Sequence, residues 1–378
     1  MFAQHLSESI IKRFSIRVKE LEGVNLGQGI PSFPTAGHIR DAARVALEER
    51  DIGVYPNFLG TPELRNAIAE RLSHVHGTAL ESRNILITVG AMEATSASVL
   101  SILSSGDIAG IVTPDYCNHF PVVDLAKGTV REIAMMEGEH WQIDMSTLEK
   151  AAKDGMKLLI ITNPNNPTGA VLLKEQIQQI LELSRVYSFW IISDETYSFL
   201  SYDRPFVSFL DFWSQSDRLI VLRSFSKEYA MTGWRVGYVV ARGDTLGVIA
   251  KTHDALVGCA PKISQRAAMA AVVGPQTIVG EYVSVFRRRR DLACRLLDGL
   301  KDYLVYAKPQ GAYYIFPKYK MDIDSLTLSQ DILEKAHVAV IPGSAFGTAG
   351  EGHIRLSFAV EDDVLVEGVG MLRNYFER

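Results

Sequence analysis

Between about residues 80 and 240, short apolar runs alternate with amphipathic stretches. The runs are NILITV (84–89), IAGIVT (108–113), KLLIIT (157–162), FWIIS (189–193), LIVLR (219–223) and VGYVV (236–240). They are short, rich in Ile and Val, and continuous rather than alternating. Such runs predict strands buried on both faces, as in a parallel sheet covered by helices. The intervening stretches carry a helical period: in KEQIQQILELSRVY (174–187), Ile177, Ile180, Leu181 and Ser184 share one face. In GTPELRNAIAERL (60–72), Thr61 stands where a cap would, Pro62 suits the first helical position, and Leu64, Ala67, Ile68 and Leu72 form a buried stripe. Beyond about residue 280 the pattern changes. A long charged helix (281–301) precedes AYYIFP, VAVIP and HIRLSFA, and a last helix falls around 361–376.

These patterns predict an α/β fold. Residues 46–280 form a large domain with a mostly parallel seven-stranded sheet covered by helices, and 281–378 form a smaller α+β domain. Residues 1–45 supply an N-terminal arm and part of the small domain, which 24–45 joins because no strand of the large sheet precedes residue 80.

Composition narrows the function classes. The chain has 378 residues, of which 22% are charged, and a net charge of −5, an ordinary globular composition and a poor one for nucleic-acid binding. RRRR (287–290), between Phe286 and Asp291, reads as a solvated helix face. No apolar run reaches about 18 residues, and MFAQHLSESIIKRF lacks the apolar core of a leader, so no membrane span is expected and the cytoplasm is the expected location. Cys117, Cys259 and Cys294 are widely spaced and form no CxxC pair, so neither a disulfide framework nor a metal site is expected. HVH (74–76) reads as surface, since positions i and i+2 diverge on a helix.

In open parallel sheets, ligands bind outside the carboxyl ends of the strands. Gly90, Ala91 and Met92 follow the first run and open a helix, where backbone N–H groups and the helix dipole meet an anion. Tyr116 and His119 follow the second run, Asn166 the third. Asp194 and Tyr197 follow the fourth, and Ser224, Ser226 and Lys227 the fifth, with Arg235 just before the sixth. One ligand uses all of these. It carries a phosphate for Arg235, Ser224 and the 90–92 turn, and a ring nitrogen that Asp194 keeps protonated. It has an oxygen anion for Asn166 and Tyr197, an aromatic face for Tyr116, and an aldehyde that Lys227 captures as a Schiff base. Pyridoxal 5′-phosphate meets these demands.

NPNNPTG (163–169), DETY (194–197) and SFSKEYAMTGWRVG (224–237), in this order and spacing, resemble the fold-type I pyridoxal-phosphate enzymes of the class I/II aminotransferase family. The resemblance runs from VNLGQGIPSF (24–33) to GHIRLSFA (352–359). It implies that Lys227 anchors the cofactor and shuttles the proton, with Asp194 on the pyridinium and Asn166 and Tyr197 on the ring oxygen. Tyr116 stacks on the ring. Gly90, Ala91, Met92, Ser224, Ser226 and Arg235 surround the phosphate. Tyr55 reaches the phosphate of a neighbouring subunit in a homodimer with shared active sites. Arg355 clamps the substrate carboxylate, near Gly29 and Ile30. The implied reaction is ping-pong transfer of an amino group from an L-amino acid to a 2-oxo acid such as 2-oxoglutarate.

Cys117 stands where many relatives carry proline, and Met92 where more polar residues are common. Lys262 is either a solvated lysine or a contact for an acidic substrate side chain. Ile30, Phe33, Tyr313 and Phe346 suggest either a partly apolar pocket or core. The catalytic set alone does not separate an aminotransferase from a C–S β-lyase or another enzyme of the same fold. A non-catalytic binding module, such as the sensor half of a transcription regulator, is disfavoured by the acidic balance and by Lys227 and Arg355.

Overall fold

A computed structural model describes residues 8–378, so the first seven residues of the stretch read for a leader lie outside the described residues. The large sheet comprises β1 (Ile85–Thr88), β2 (Ile108–Thr113), β3 (Thr129–Met136), β4 (Gln142–Ile143), β5 (Leu158–Thr162), β6 (Trp190–Asp194), β7 (Leu219–Ser224) and β8 (Gly237–Val240). Their spatial order is β1-β8-β7-β6-β5-β2-β3-β4. The pairs β2·β3, β2·β5, β5·β6 and β6·β7 are parallel, whereas β8 runs antiparallel to both β1 and β7, and β4 to β3. The mostly parallel sheet is present and is eight strands wide, because the two-residue β4 adds an edge.

Six of these strands are the continuous apolar runs. Successive residues of a strand face opposite sides, so each run feeds two cores. Leu158, Ile160, Ile192, Ile220 and Leu222 pack on one side against the helices Ala91–Ile102 and Gly243–Val257. Leu159, Ile161, Ile191, Leu219 and Val221 pack on the other against Pro62–His76, Lys174–Tyr187 and Lys262–Val273. Each fully buried Ile or Leu contributes roughly 1.5–3 kcal/mol. With both faces covered, the one edge left for polar chemistry is where the strands end.

The smaller region has a three-stranded antiparallel sheet, with Ile354–Ser357 between Tyr314–Ile315 and Ile341–Pro342. Helices Thr277–Asp298, Ser325–Ala336 and Asp362–Phe376 surround it. Val24–Asn25 pairs in parallel with Val338–Ala339, while the helix Gly37–Ala46 packs on Lys262–Val273. The segment 24–45 therefore contacts both regions.

Three local readings are corrected. The RRRR run is only half a solvated face: Arg287 and Arg288 are exposed, but Arg289 and Arg290 are 1% and 2% exposed. Arg289 pairs with Glu361 and Asp362, and Arg290 with Asp203 and Asp291. Asp291 is the next residue of the same helix, the other carboxylates come from elsewhere in the chain, and together they make burial of the guanidinium groups tolerable. His76 is likewise drawn inward, its Nδ1 2.6 Å from Asp211 Oδ1 and its Nε2 3.0 Å from Arg223 Nη2. Thr61 makes no side-chain cap; its backbone N–H donates instead to Gln265 Oε1 at 2.7 Å, and Pro62 opens the helix. Among the described residues no single helix is long and apolar enough to cross a membrane.

Candidate active site

A cavity of about 260 Å³ opens at the carboxyl ends of the parallel strands. Its wall includes Gly29, Ile30, Ala91, Met92, Tyr116, Asn166, Asp194, Tyr197, Ser224, Ser226, Lys227, Arg235 and Arg355. Residues more than 300 positions apart in sequence thus meet in one place. The parallel strands put Tyr116, Asn166, Asp194, Tyr197 and Lys227 at a common edge. Arg235 arrives there because the antiparallel β8 begins where β7 ends.

Lys227 is half-buried, and its Nζ donates to the Gly29 carbonyl at 2.6 Å. Burial first, then the Arg355 and Arg235 charges, lower its pKa from the ordinary lysine value to about 8, with Asp194 opposing. Gly29 is required by close approach, since a Cβ there would lie 1.9 Å from Tyr314 Oη.

Asp194 ends β6. Burial alone would raise its carboxyl, but His119 and Thr196 outweigh it and hold the group below the usual aspartate range. The backbone N–H of Thr196 donates to Asp194 Oδ1 at 3.0 Å. His119 Nε2 lies 3.6 Å from Asp194 Oδ2, and His119 Nδ1 lies 2.8 Å from Asp115 Oδ2. Burial works against charge on His119, but the flanking Asp115 and Asp194 raise its pKa to about 10. A buried imidazolium between two carboxylates therefore keeps Asp194 ionised and oriented.

Arg355 is 1% exposed. Its Nη1 donates to Asn166 Oδ1 at 2.8 Å and its Nη2 to the Gly27 carbonyl, while its plane lies over the rings of Tyr314 and Phe346. Among the described residues its buried Nε has no partner. Tyr197 Oη and Tyr314 Oη are 2.9 Å apart, and burial pushes the Tyr197 phenol well above its ordinary pKa.

Gly90 caps the helix Ala91–Ile102 with φ of 81°, and a Cβ there would sit 2.6 Å from Arg235 Nη2. The glycine serves both the left-handed backbone and the approach of the guanidinium. Arg235 donates to the Thr232 carbonyl at 3.0 Å and the Val89 carbonyl at 3.3 Å. The Ser224 hydroxyl accepts from the Ser226 N–H at 3.1 Å and so caps the short helix Phe225–Glu228 that carries Lys227.

Some expected residues lie elsewhere. Tyr55 is 90% exposed and away from the cavity. Phe33 stacks on Tyr282, Phe346 lies beneath Arg355, and Tyr313 is fully buried with its hydroxyl on the Gly29 carbonyl, so of the four apolar candidates Ile30 alone lines the cavity. Lys262 is bound to Asp51 at 2.6 Å and Glu49 at 3.3 Å. Cys117 lies beside the cavity with its thiol pushed up to about 11 by burial. Sequence reasoning missed Asp115, Asn118 and Tyr314. The i, i+4 spacing of Asp115 and His119 after β2 was the available signal for the first; nothing local marks Tyr314.

Comparison with known proteins agrees with this fold. The model of the family "aminotransferase class I and II" matches residues 22–371. A probable aspartate aminotransferase of Methanocaldococcus jannaschii is 35% identical over 360 residues, covering 94% of this chain and 93% of its own. A probable N-acetyl-LL-diaminopimelate aminotransferase of Bacillus subtilis is 35% identical over 373 residues, covering 98% and 93%. The solved structure of an alanine aminotransferase from Pyrococcus furiosus matches with a TM-score of 0.92 at 30% identity, over 98% of both chains. The polar cavity at the strand ends, the fold-type I architecture and these full-length similarities lead to one conclusion: the chain belongs to the class I and II aminotransferase family.

Proposed function

We propose that the cavity binds pyridoxal 5′-phosphate and moves the amino group of an L-amino acid to a 2-oxo acid in two half-reactions. One observation carries the reading: the Lys227 amine, with its pKa lowered to about 8, lines the same cavity as the Asp194 carboxylate and the Arg355 guanidinium. The donor set fits the cofactor. Arg235, the helix N-terminus at Gly90, Ala91 and Met92, and the Ser224 and Ser226 hydroxyls suit its phosphate. Asp194 suits the ring nitrogen, Asn166 and Tyr197 the ring oxygen, Tyr116 the ring face and Lys227 the aldehyde. When bound, the cofactor supplies the electron sink that acidifies the Cα–H of an attached amino acid.

The chain's own groups do the rest. Arg355 holds the substrate carboxylate, with two aromatic rings fixing the plane of its guanidinium. Lys227 Nζ, neutral above about pH 8, takes the proton from substrate Cα. Asp194 stays ionised through His119, a positioning residue. Tyr55 is assigned to the phosphate of a second subunit in a homodimer. Mixed dimers of Lys227→Ala and Tyr55→Phe chains test this, and purely additive subunit activities would sink the shared site.

The relatives' names differ in donor at equal similarity, so the donor is set by this cavity's own wall. The test is the visible spectrum of the purified protein mixed with each of the twenty amino acids, followed by assay of the 2-oxo acid formed. A few donors should convert the cofactor to its amine form with one equivalent of 2-oxo acid. Ammonia and pyruvate from a cysteine conjugate would replace transfer by elimination, and a protein that binds no pyridoxal phosphate would overturn the reading.

A further inference from the structure

Four cations line the cavity, Lys12, Lys227, Arg235 and Arg355, against one carboxylate, Asp194. Amino transfer accounts for three of them: Lys227 at the reacting atom, Arg235 at a phosphate, Arg355 at an α-carboxylate. Lys12 is left over. It stands in the first turn of the helix Ile10–Glu20, beside Ser9 and Ile11 in the same wall. The free N–H groups and dipole of that turn add to the positive potential there. Its residue is exposed, and among the described residues it has no ion-pair or hydrogen-bond partner. The same helix does pair a cation where a carboxylate is in reach: Arg17 bonds Glu20 and Glu334. Lys262, the lysine that sequence alone offers for an acidic substrate, is already tied to Asp51 and Glu49.

We infer that Lys12 is a specificity residue that reads a second anionic group, a distal carboxylate, on the amino-acid donor and on the 2-oxo acid acceptor. The inference rests on the amino-transfer reading of the cavity. With Arg355 holding the α-carboxylate, an unpaired ammonium elsewhere in the wall favours a substrate with charge at both ends. Gln28 and Asn118, also in the wall, add uncharged hydrogen-bonding capacity without cancelling that charge. The flexible stem of lysine lets the ammonium follow chains of slightly different length.

The test uses the cofactor-loaded protein and two inert probes of equal carbon count, glutarate and pentanoate, titrated calorimetrically. Wild type should favour glutarate. Lys12→Ala should lower the ratio of the two association constants by up to about fivefold, the upper end for an exposed ion pair. Lys12→Arg should keep the ratio, and Lys12→Glu should lower it further. An unchanged ratio in Lys12→Ala, or no glutarate preference in wild type, overturns the assignment. The same preparations are assayed for 2-oxo acid release from the twenty amino acids. Transfer by wild type with an unmoved ratio removes Lys12 alone; no transfer from any donor removes the reading beneath it and Lys12 with it.

Discussion

Two groups of cations differ in what they touch. In the run 287–290 every arginine meets a carboxylate: Arg287 and Arg290 meet Asp203, Arg288 meets Asp362, and Arg289 meets both Asp362 and Glu361. In the cavity the partners are uncharged. Lys227 donates to the Gly29 carbonyl, Arg235 to the Thr232 and Val89 carbonyls, and Arg355 to Asn166 and the Gly27 carbonyl. Both arrangements satisfy hydrogen bonds. A carboxylate partner also cancels the charge, whereas a carbonyl or amide orients the cation and leaves its charge for a ligand. The first group is architecture, tying the helix Thr277–Asp298 to the last helix and to the 203 turn. The second keeps its charge uncancelled by its hydrogen-bond partners.

That contrast is broken most severely at Lys227. Lys227→Ala should lower amino transfer at least about 10⁴-fold, because proton transfer and cofactor capture are lost together, with the folded protein intact by circular dichroism. Next, Arg355→Ala should raise KM for every amino acid about 10²-fold, as a bidentate charge-assisted contact disappears, and Arg355→Lys should restore only part of it. Steady-state kinetics separates this from a fall in kcat. Arg289→Ala should do the reverse, leaving KM alone and lowering stability by about 2–3 kcal/mol in denaturant melts. That is the lower end for a broken buried pair, because its exposed carboxylate partners regain water. The last effect is on pH dependence. Folding depresses the Lys227 pKa from 10.5 to about 8, so the unfolded chain holds a proton there that the folded chain has lost. Cofactor-free protein should therefore gain stability from this group as pH rises from about 8 to 10.5. Lys227→Met should be more stable than wild type at pH 7, by a margin that shrinks across that window in thermal melts. A constant margin would mean the lysine is not desolvated.

Which parts of this were legible in the sequence follows the same division. The six apolar strands could be read because burial on both faces leaves an unbroken signature. β3 could not, because it is half-exposed and carries Arg131 and Glu132 in mid-strand. The strand-end part of the cavity wall was readable because one rule, residues following buried parallel strands, collects it, whereas Gly29, Ile30 and Arg355 came from the family resemblance alone. The pairing of the arginine run was hidden because, apart from the adjacent Asp291, its partners lie more than 70 positions away. Tyr314, which meets Tyr197 from 117 positions away, was hidden for the same reason. Phe33 and Phe346 show the converse: an aromatic next to a motif can belong to the support rather than the wall.

The reversal of β8 has a consequence for how the molecule tolerates change. Lys227 and Arg235 lie on one connection, 225–236, whose ends are pinned by the register of Ser224 with Gly237 and Arg223 with Tyr238. Between these pins the lysine must reach Gly29 and the arginine must reach Gly90. One residue added or removed anywhere in the connection displaces one of them whatever its side chain. Loop length is thus as strict a requirement as residue identity, and the segment behaves as a cassette that can be exchanged whole between chains but not trimmed.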